Sequence, residues 1–174
     1  MGTDWYMLTL IGEDRPGIVA GVARALFDRG MNLGEASMMR LGGNFTIMMM
    51  VSGAASADAL AQAVKGVAEG LRLRAHVDPI VGGLHRHVVP NVRVRVSGAD
   101  RAGIVAQVTG ALADAGFNIL DLGSDVAGTE RQPVYIMHIE GYTDAAIEQL
   151  QGAVSALKGE GVDVQVSAID TLYG

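Results

Sequence analysis

Two acidic turns carry the polar groups best suited to ligand chemistry. In each, an aspartate stands three residues before a glycine at the start of a helical pattern: Asp14-Arg15-Pro16-Gly17, and again Asp100-Arg101-Ala102-Gly103. An asparagine follows 15 residues after each glycine, at Asn32 and Asn118. A helix start presents unpaired N–H groups and partial positive charge, which suit a carboxylate. Glycine lets a ligand approach the backbone closely. The aspartate offers a seat for an ammonium group, and the asparagine both a donor and an acceptor. Together these groups suit a zwitterionic α-amino acid. Each also has a plainer role. An aspartate before a helix is a natural cap, the glycine can ease helix packing, and the asparagine can shape a turn. Arg15 and Arg101 read as solvated.

No other constellation supports chemistry. His85-Arg86-His87 has two imidazoles one residue apart, without a neighbouring Cys or acidic cluster, and reads as a solvated linker rather than a metal site. Met48-Met49-Met50 lies in a strand pattern, where core and interface packing explains it better than metal binding. Gly12 and Gly17 have the spacing of a phosphate loop, but no Lys-Ser/Thr pair follows. No Ser-His-Asp or Cys-His set can be assembled. Asp121 and Asp125 share one strand face with no group marking them as acid and base. The sequence therefore predicts no enzyme activity, no metal and no cofactor.

The elements that must position the turns come in two copies. Residues 12–33 match residues 98–119 at 13 of 22 positions, at an offset of 86. A period that long means two small domains rather than a solenoid. In the first half, Trp5–Ile11 alternates as a strand, Ile18, Val19, Val22, Ala25 and Leu26 mark an amphipathic helix, and Gly30 ends it. Asn32–Leu41 and Asn44–Ser52 form a hairpin through Gly42-Gly43. Ser56 or Asp58 caps a helix reaching about Leu71, and Leu73–Ile80 is the last strand. The second half repeats this: strand Val92–Ser97, helix Gly103–Ala115, hairpin Asn118–Val126 with Val134–Tyr142, helix Asp144–Lys158, strand Asp163–Thr171. Its hairpin tip, Gly128–Pro133, reads as two residues longer. The offset then becomes 88 and sets Gly53 opposite Gly141. The order predicts an α+β chain of two ferredoxin-like βαββαβ domains, each an antiparallel sheet with both helices on one face. The domains are expected at 1–81 and 91–174, joined by a linker at 82–90. The end of strand one and the start of strand two are expected at one rim, so that each turn faces its asparagine.

Composition narrows the partners. The net charge is −6, and the basic spots (Arg72/Arg74, Arg86, Arg93/Arg95) are scattered. Direct nucleic-acid binding is not expected, because phosphate contacts need a basic face. Arg93 and Arg95 sit at period two, as on an exposed strand face. No apolar run is long enough to span a membrane, and no secretion signal is visible. The absence of cysteine fits the cytoplasm. Two small cores in a chain that is 49% hydrophobic lean towards burial against a second copy, as a homodimer.

The run Asp14-Arg15-Pro16-Gly17-Ile18-Val19, the following Leu26-(x)3-Gly30-Met31-Asn32-Leu33 and the βαββαβ order resemble the ACT domain, a small regulatory module that binds amino acids. The resemblance covers both halves. A pair of ACT domains with no attached enzyme is similar to the glycine cleavage system transcriptional repressor family. Glycine or serine fits a small site; the resemblance favours glycine and implies control of a DNA-binding regulator through protein contact. It implies ligand contacts at Asp14, Gly17, Ile18 and Asn32, and at Asp100, Gly103, Ile104 and Asn118. In such modules the ligand often sits between two ACT units, within a chain or between chains. Ala102 replaces the proline of the first copy, and Gly12 and Gly98 stand where some amino-acid-binding relatives carry a polar side chain. An interaction module of the same fold that binds no metabolite is the alternative.

Overall fold

The computed structural model describes residues 4–80, 88–99, 103–129, 132–157 and 161–169. The chain divides into one unit ending at Arg86 and a second beginning at His87. The expected linker at 82–90, with its His85-Arg86-His87, falls mostly outside the described residues.

The first unit runs β1 (Trp5–Glu13), α1 (Ile18–Phe27), β2 (Asn32–Leu41), β3 (Asn44–Ser52), α2 (Ala57–Gly70) and β4 (Arg74–Ile80). Its sheet has the order β2-β3-β1-β4, with every neighbouring pair antiparallel. Alternation in β1 sends Tyr6, Leu8 and Leu10 to the helix side, where they meet Ile18, Val22 and Leu26 of α1 and Leu60 and Val64 of α2. Each such apolar side chain contributes about 1.5–3 kcal/mol by leaving water. Within the methionine run, only Met49 points into this core, at 1% exposure.

Gly30 ends α1 as its sequence predicts. It adopts φ 69°, while the N–H of Gly30 reaches Phe27 O at 2.9 Å and that of Met31 reaches Leu26 O at 3.1 Å. That is the paired-bond helix stop requiring a left-handed residue. Ser56, not Asp58, caps α2, accepting from the Ala59 N–H at 3.1 Å.

The second unit repeats the plan with β5 (Val92–Ala99), α3 (Ile104–Asp114), β6 (Asn118–Thr129), β7 (Gln132–Tyr142), α4 (Ile147–Ser155) and β8 (Val162–Ala168), in the sheet order β6-β7-β5-β8. Its core has no residue in common with the first.

Two expectations need correction here. Gly12 pairs with Phe45, whereas its counterpart Gly98 pairs with Tyr135, so the third strands are offset by 90 rather than 88. The hairpin is therefore four residues longer, two on each strand, and Gly53 corresponds to Thr143 rather than Gly141. Gly128 and Pro133 face each other inside the ladder instead of forming the tip. The helix expected from Asp144 starts three residues later. Residues 143–145 are engaged otherwise: Thr143 Oγ1 donates to Gly116 O and accepts from the Ala145 N–H, both at 3.1 Å. Among the described residues, no helix is long and apolar enough to cross a membrane.

Candidate functional site

The β1–α1 turn emerges where the sheet rim also carries the β2–β3 hairpin. The Asp14 N–H donates to Gly43 O at 3.2 Å, clipping the turn to the hairpin tip. The Asp14 side chain does not cap α1. The cap position is Gly17, at φ 89°, with no side-chain hydrogen bond to the helix start. Asp14 instead pairs with Arg40, near the end of β2, at 2.6 Å from Nε to Oδ2. The Arg40 side chain is 70% exposed and that of Asp14 28%, so the pair is open to water and the guanidinium is displaceable. Arg15, expected to be solvated, pairs with Glu13. This hydrogen bond, and then the Arg15 charge, lower the Glu13 pKa.

A Cβ on Gly17 would meet nothing within 4 Å, and the same holds for Gly103 at φ 94°. Neither glycine is there to ease helix packing. Each supplies the left-handed conformation of the cap and leaves the space beside the helix start open. No acidic side chain lies in the first turn of α1 or α3. The first N–H groups of a helix have no partner within it, and no side chain caps either start among the described residues. Ile18 and Ile104 are core residues at 2% exposure, so their side chains are turned to the core. Asp100 lies outside the described residues.

The structure does not bring the turn and the asparagine of one unit together. Asn32 pairs with Ser52, which pairs with Trp5 at the start of β1, while Leu41 pairs with Asn44, which pairs with Glu13 at its end. Turn and asparagine therefore stand at opposite rims, roughly 27 Å apart at the rise of an extended strand. The reason is the direction of α1, which returns the chain along the sheet before β2 begins. Asn118, paired with Tyr142, repeats this placement.

Arg40 escaped the sequence reading. Its signal was present: a basic residue two positions before a glycine hairpin whose tip shares a rim with an acidic turn. The equivalent position in the second unit is Val126, so the two sites are not chemical copies. One concave region, of about 310 Å³, is lined by Ile11, Gly12, Met39, Leu41, Asn44, Thr46 and Arg74, on the open side of the first sheet and reaching the rim that carries the turn. Another, of about 410 Å³, lies beside Gly98 and Val162. Among the described residues, no group of three or more His, Asp or Glu is arranged to hold a metal ion.

Two family models, each described as ACT domain, match the chain, one over residues 6–78 and the other over residues 92–158. The glycine cleavage system transcriptional repressor of Escherichia coli K12 is 31% identical over 144 residues, covering 78% of this chain and 72% of its own length. A solved protein from Galdieria sulphuraria matches with TM-score 0.76 at 24% identity, over 97% of this chain and 99% of that one. A second solved structure, provisionally described as a glycine cleavage system transcriptional repressor, matches with TM-score 0.69 at 21% identity over the same shares. Both establish the fold alone. A bifunctional uridylyltransferase/uridylyl-removing enzyme of Chromobacterium violaceum is 40% identical over 53 residues, 30% of this chain but 6% of that enzyme's length.

Proposed function

Because the chain belongs to the ACT domain family, as a tandem pair related to the glycine cleavage system transcriptional repressor, we propose that it senses a small amino acid and regulates a protein partner, with no reaction of its own. One observation carries this reading: a helix start without a side-chain cap beside an acid whose ion pair, among the described residues, is with an exposed arginine. The helix start takes the carboxylate of the ligand, and Asp14 exchanges Arg40 for its ammonium group. The relation to the glycine cleavage system transcriptional repressor favours glycine, with serine the second candidate.

The opposite placement of Asn32 supports completion of the site by a second copy. β2 is an edge strand, exposed at nine of its ten positions. If the β2 edges of two copies of the chain meet antiparallel, Asn32 of one copy reaches the rim carrying Arg40 and Asp14 of the other. The ligand then bridges two copies and favours one arrangement of the dimer, which the partner reads as a population shift. A coupling of about 1–3 kcal/mol makes a useful switch. The name of the Escherichia coli relative suggests a DNA-binding regulator as the partner. The net charge of −6 agrees with leaving DNA contact to it.

An interaction module without a metabolite is the second reading, favoured by the ion pair that already satisfies Asp14. Thermal melting with each of the twenty amino acids separates the two. A ligand at 100 times its dissociation constant adds about 2.7 kcal/mol. Under the sensor reading, glycine or serine raises the melting temperature and Asp14→Ala abolishes the rise. No rise with any amino acid leaves the interaction module. Capture of the partner with and without the ligand then tests regulation.

A further inference from the structure

The open sheet faces of the two units, turned away from their helices, differ in kind. On the first, Met7, Met48 and Met50 occupy neighbouring rungs, flanked by Trp5, Ile11, Met39 and Leu41. Met48 is 46% exposed, Met39 58% and Leu41 71%. The indole of Trp5 reaches over Gly34, where a Cβ would come within 2.7 Å of Cζ3. At the positions of Met7, Met48 and Met50 the second sheet has Arg93, His138 and Glu140, with Arg93 and Glu140 paired at 2.7 Å. The same fold thus stands with this face charged, and nothing in the architecture demands the apolar version.

We propose that the open face of the first sheet packs against the same face of a second copy, about a two-fold axis crossing the strands at the rung of Thr9 and His76. The edge strand β4 selects that axis. Its open-face residues are Arg74, His76 and Asp78, opposite Ile11, Thr9 and Met7. Arg74 has no ion pair among the described residues, and Asp78 has only His76 of its own strand, at 3.1 Å. Rotation about this axis lays β4 on β4 in reverse, so that Arg74 of each copy faces Asp78 of the other. Sheets pack face to face about 10 Å apart, a gap these two side chains close together. An axis along the strands would instead set β4 over β2, with Arg74 opposite Met39 and Asp78 opposite the bulge at Gly34 and Glu35, where neither meets an opposite charge.

The apolar relief agrees with this placement. The depression lined by Ile11, Met39, Leu41, Thr46 and Arg74 comes to face the half-buried Met7 of the other copy, whereas Met50 is already buried in its own unit, at 8% exposure. Methionine is the side chain that best fills such irregular gaps. Four strands at about 4.8 Å spacing and nine residues of about 3.3 Å rise give a flat area of roughly 550 Å² per copy. The total of roughly 1,100 Å² clears the size at which specific interfaces begin. This contact is independent of the β2 edge and of any ligand.

Molar mass measured by light scattering across a dilution series tests it. Met48→Glu is expected to halve the mass of the assembly, weakening this contact more than about tenfold by burying an unpaired charge. His138→Glu, the same substitution at the equivalent place in the second unit, leaves the mass unchanged. Arg74→Asp alone sets like charges against each other and weakens the contact, and Arg74→Asp with Asp78→Arg restores it. Circular dichroism confirms that each variant is folded. The proposal is overturned if the wild-type chain is monomeric, if folded Met48→Glu keeps the wild-type mass, or if the charge-swapped pair fails to recover it. Ligand-dependent melting is unaffected by Met48→Glu, so failure here is distinct from failure of the sensor reading.

Discussion

Arg40 is the residue on which ligand affinity should turn. It holds Asp14 at 2.6 Å in a water-exposed pair, and such pairs contribute about 0.2–1 kcal/mol. Arg40→Ala should therefore leave stability nearly unchanged. If Arg40 competes with the ligand ammonium for Asp14, its removal tightens amino-acid binding by up to about fivefold, the equivalent of ~1 kcal/mol. Titration calorimetry with glycine and serine reads this directly, and weaker binding would mean that Arg40 contributes contacts of its own. The sequence displayed Asp14, Gly17 and Asn32 as a set, but it concealed the opposite placement of Asn32 and the partner of Asp14. Both depend on register between strands far apart in the chain, which local pattern does not encode. Glu13 provides a pH reading of the same turn. Arg15 lowers its pKa, so the pair stabilises the fold above the ordinary carboxylate range and that contribution fades as pH falls through the lowered value. Carboxyl NMR should find Glu13 titrating below the ordinary range, and Arg15→Ala should return it there.

At the level of elements, the ends of strands and helices were legible where glycine or a cap marks them, and misplaced where pairing decides. Asn32–Leu41 and Asn44–Ser52 matched because Gly42-Gly43 fixes a tight hairpin. The second hairpin has no such pair, so its extra rungs emerged only from the ladder. Gly12 and Gly98, lacking the polar side chain of some relatives, are explained by contact: a Cβ would come within 2.9 Å of Arg72 O in one unit and of Gly161 O in the other. Each strand must pass this close to the turn entering the last strand. That turn also bears a difference between the copies. Arg72 holds φ 56° where Gly161 holds 79°. A left-handed conformation costs a side-chain-bearing residue about 1–2 kcal/mol, part of which glycine returns in chain entropy. Arg72→Gly is expected to stabilise the first unit by roughly 0.5–1 kcal/mol, seen as a rise of several degrees in its melting temperature. A fall would mean that the arginine side chain contributes more than the strain costs.

For the whole molecule, duplication was the most legible fact because its strongest match covers a helix and the left-handed glycine before it, which both copies keep. Divergence followed where the fold is indifferent: Arg40 against Val126, and the methionine face against the charged one. Two cores without a common residue make the chain two cooperative units rather than one. Leu8 and Val94 hold equivalent places, each at 0% exposure. Leu8→Ala should cost its own unit about 2–5 kcal/mol, and for a domain of this size each kcal/mol moves the midpoint by about 4–8 °C. Differential scanning calorimetry of Leu8→Ala should therefore separate an early transition from one that stays at the wild-type position. Val94→Ala should split the melt the other way, by less, since it removes fewer buried carbons. A single transition that shifts as a whole in both variants would show that the units melt as one body. The same scan assigns the sensor. An amino acid that raises only the transition lowered by Leu8→Ala acts through the turn bearing Asp14 and Arg40. One that raises only the other acts through the second turn, where valine stands in place of the arginine.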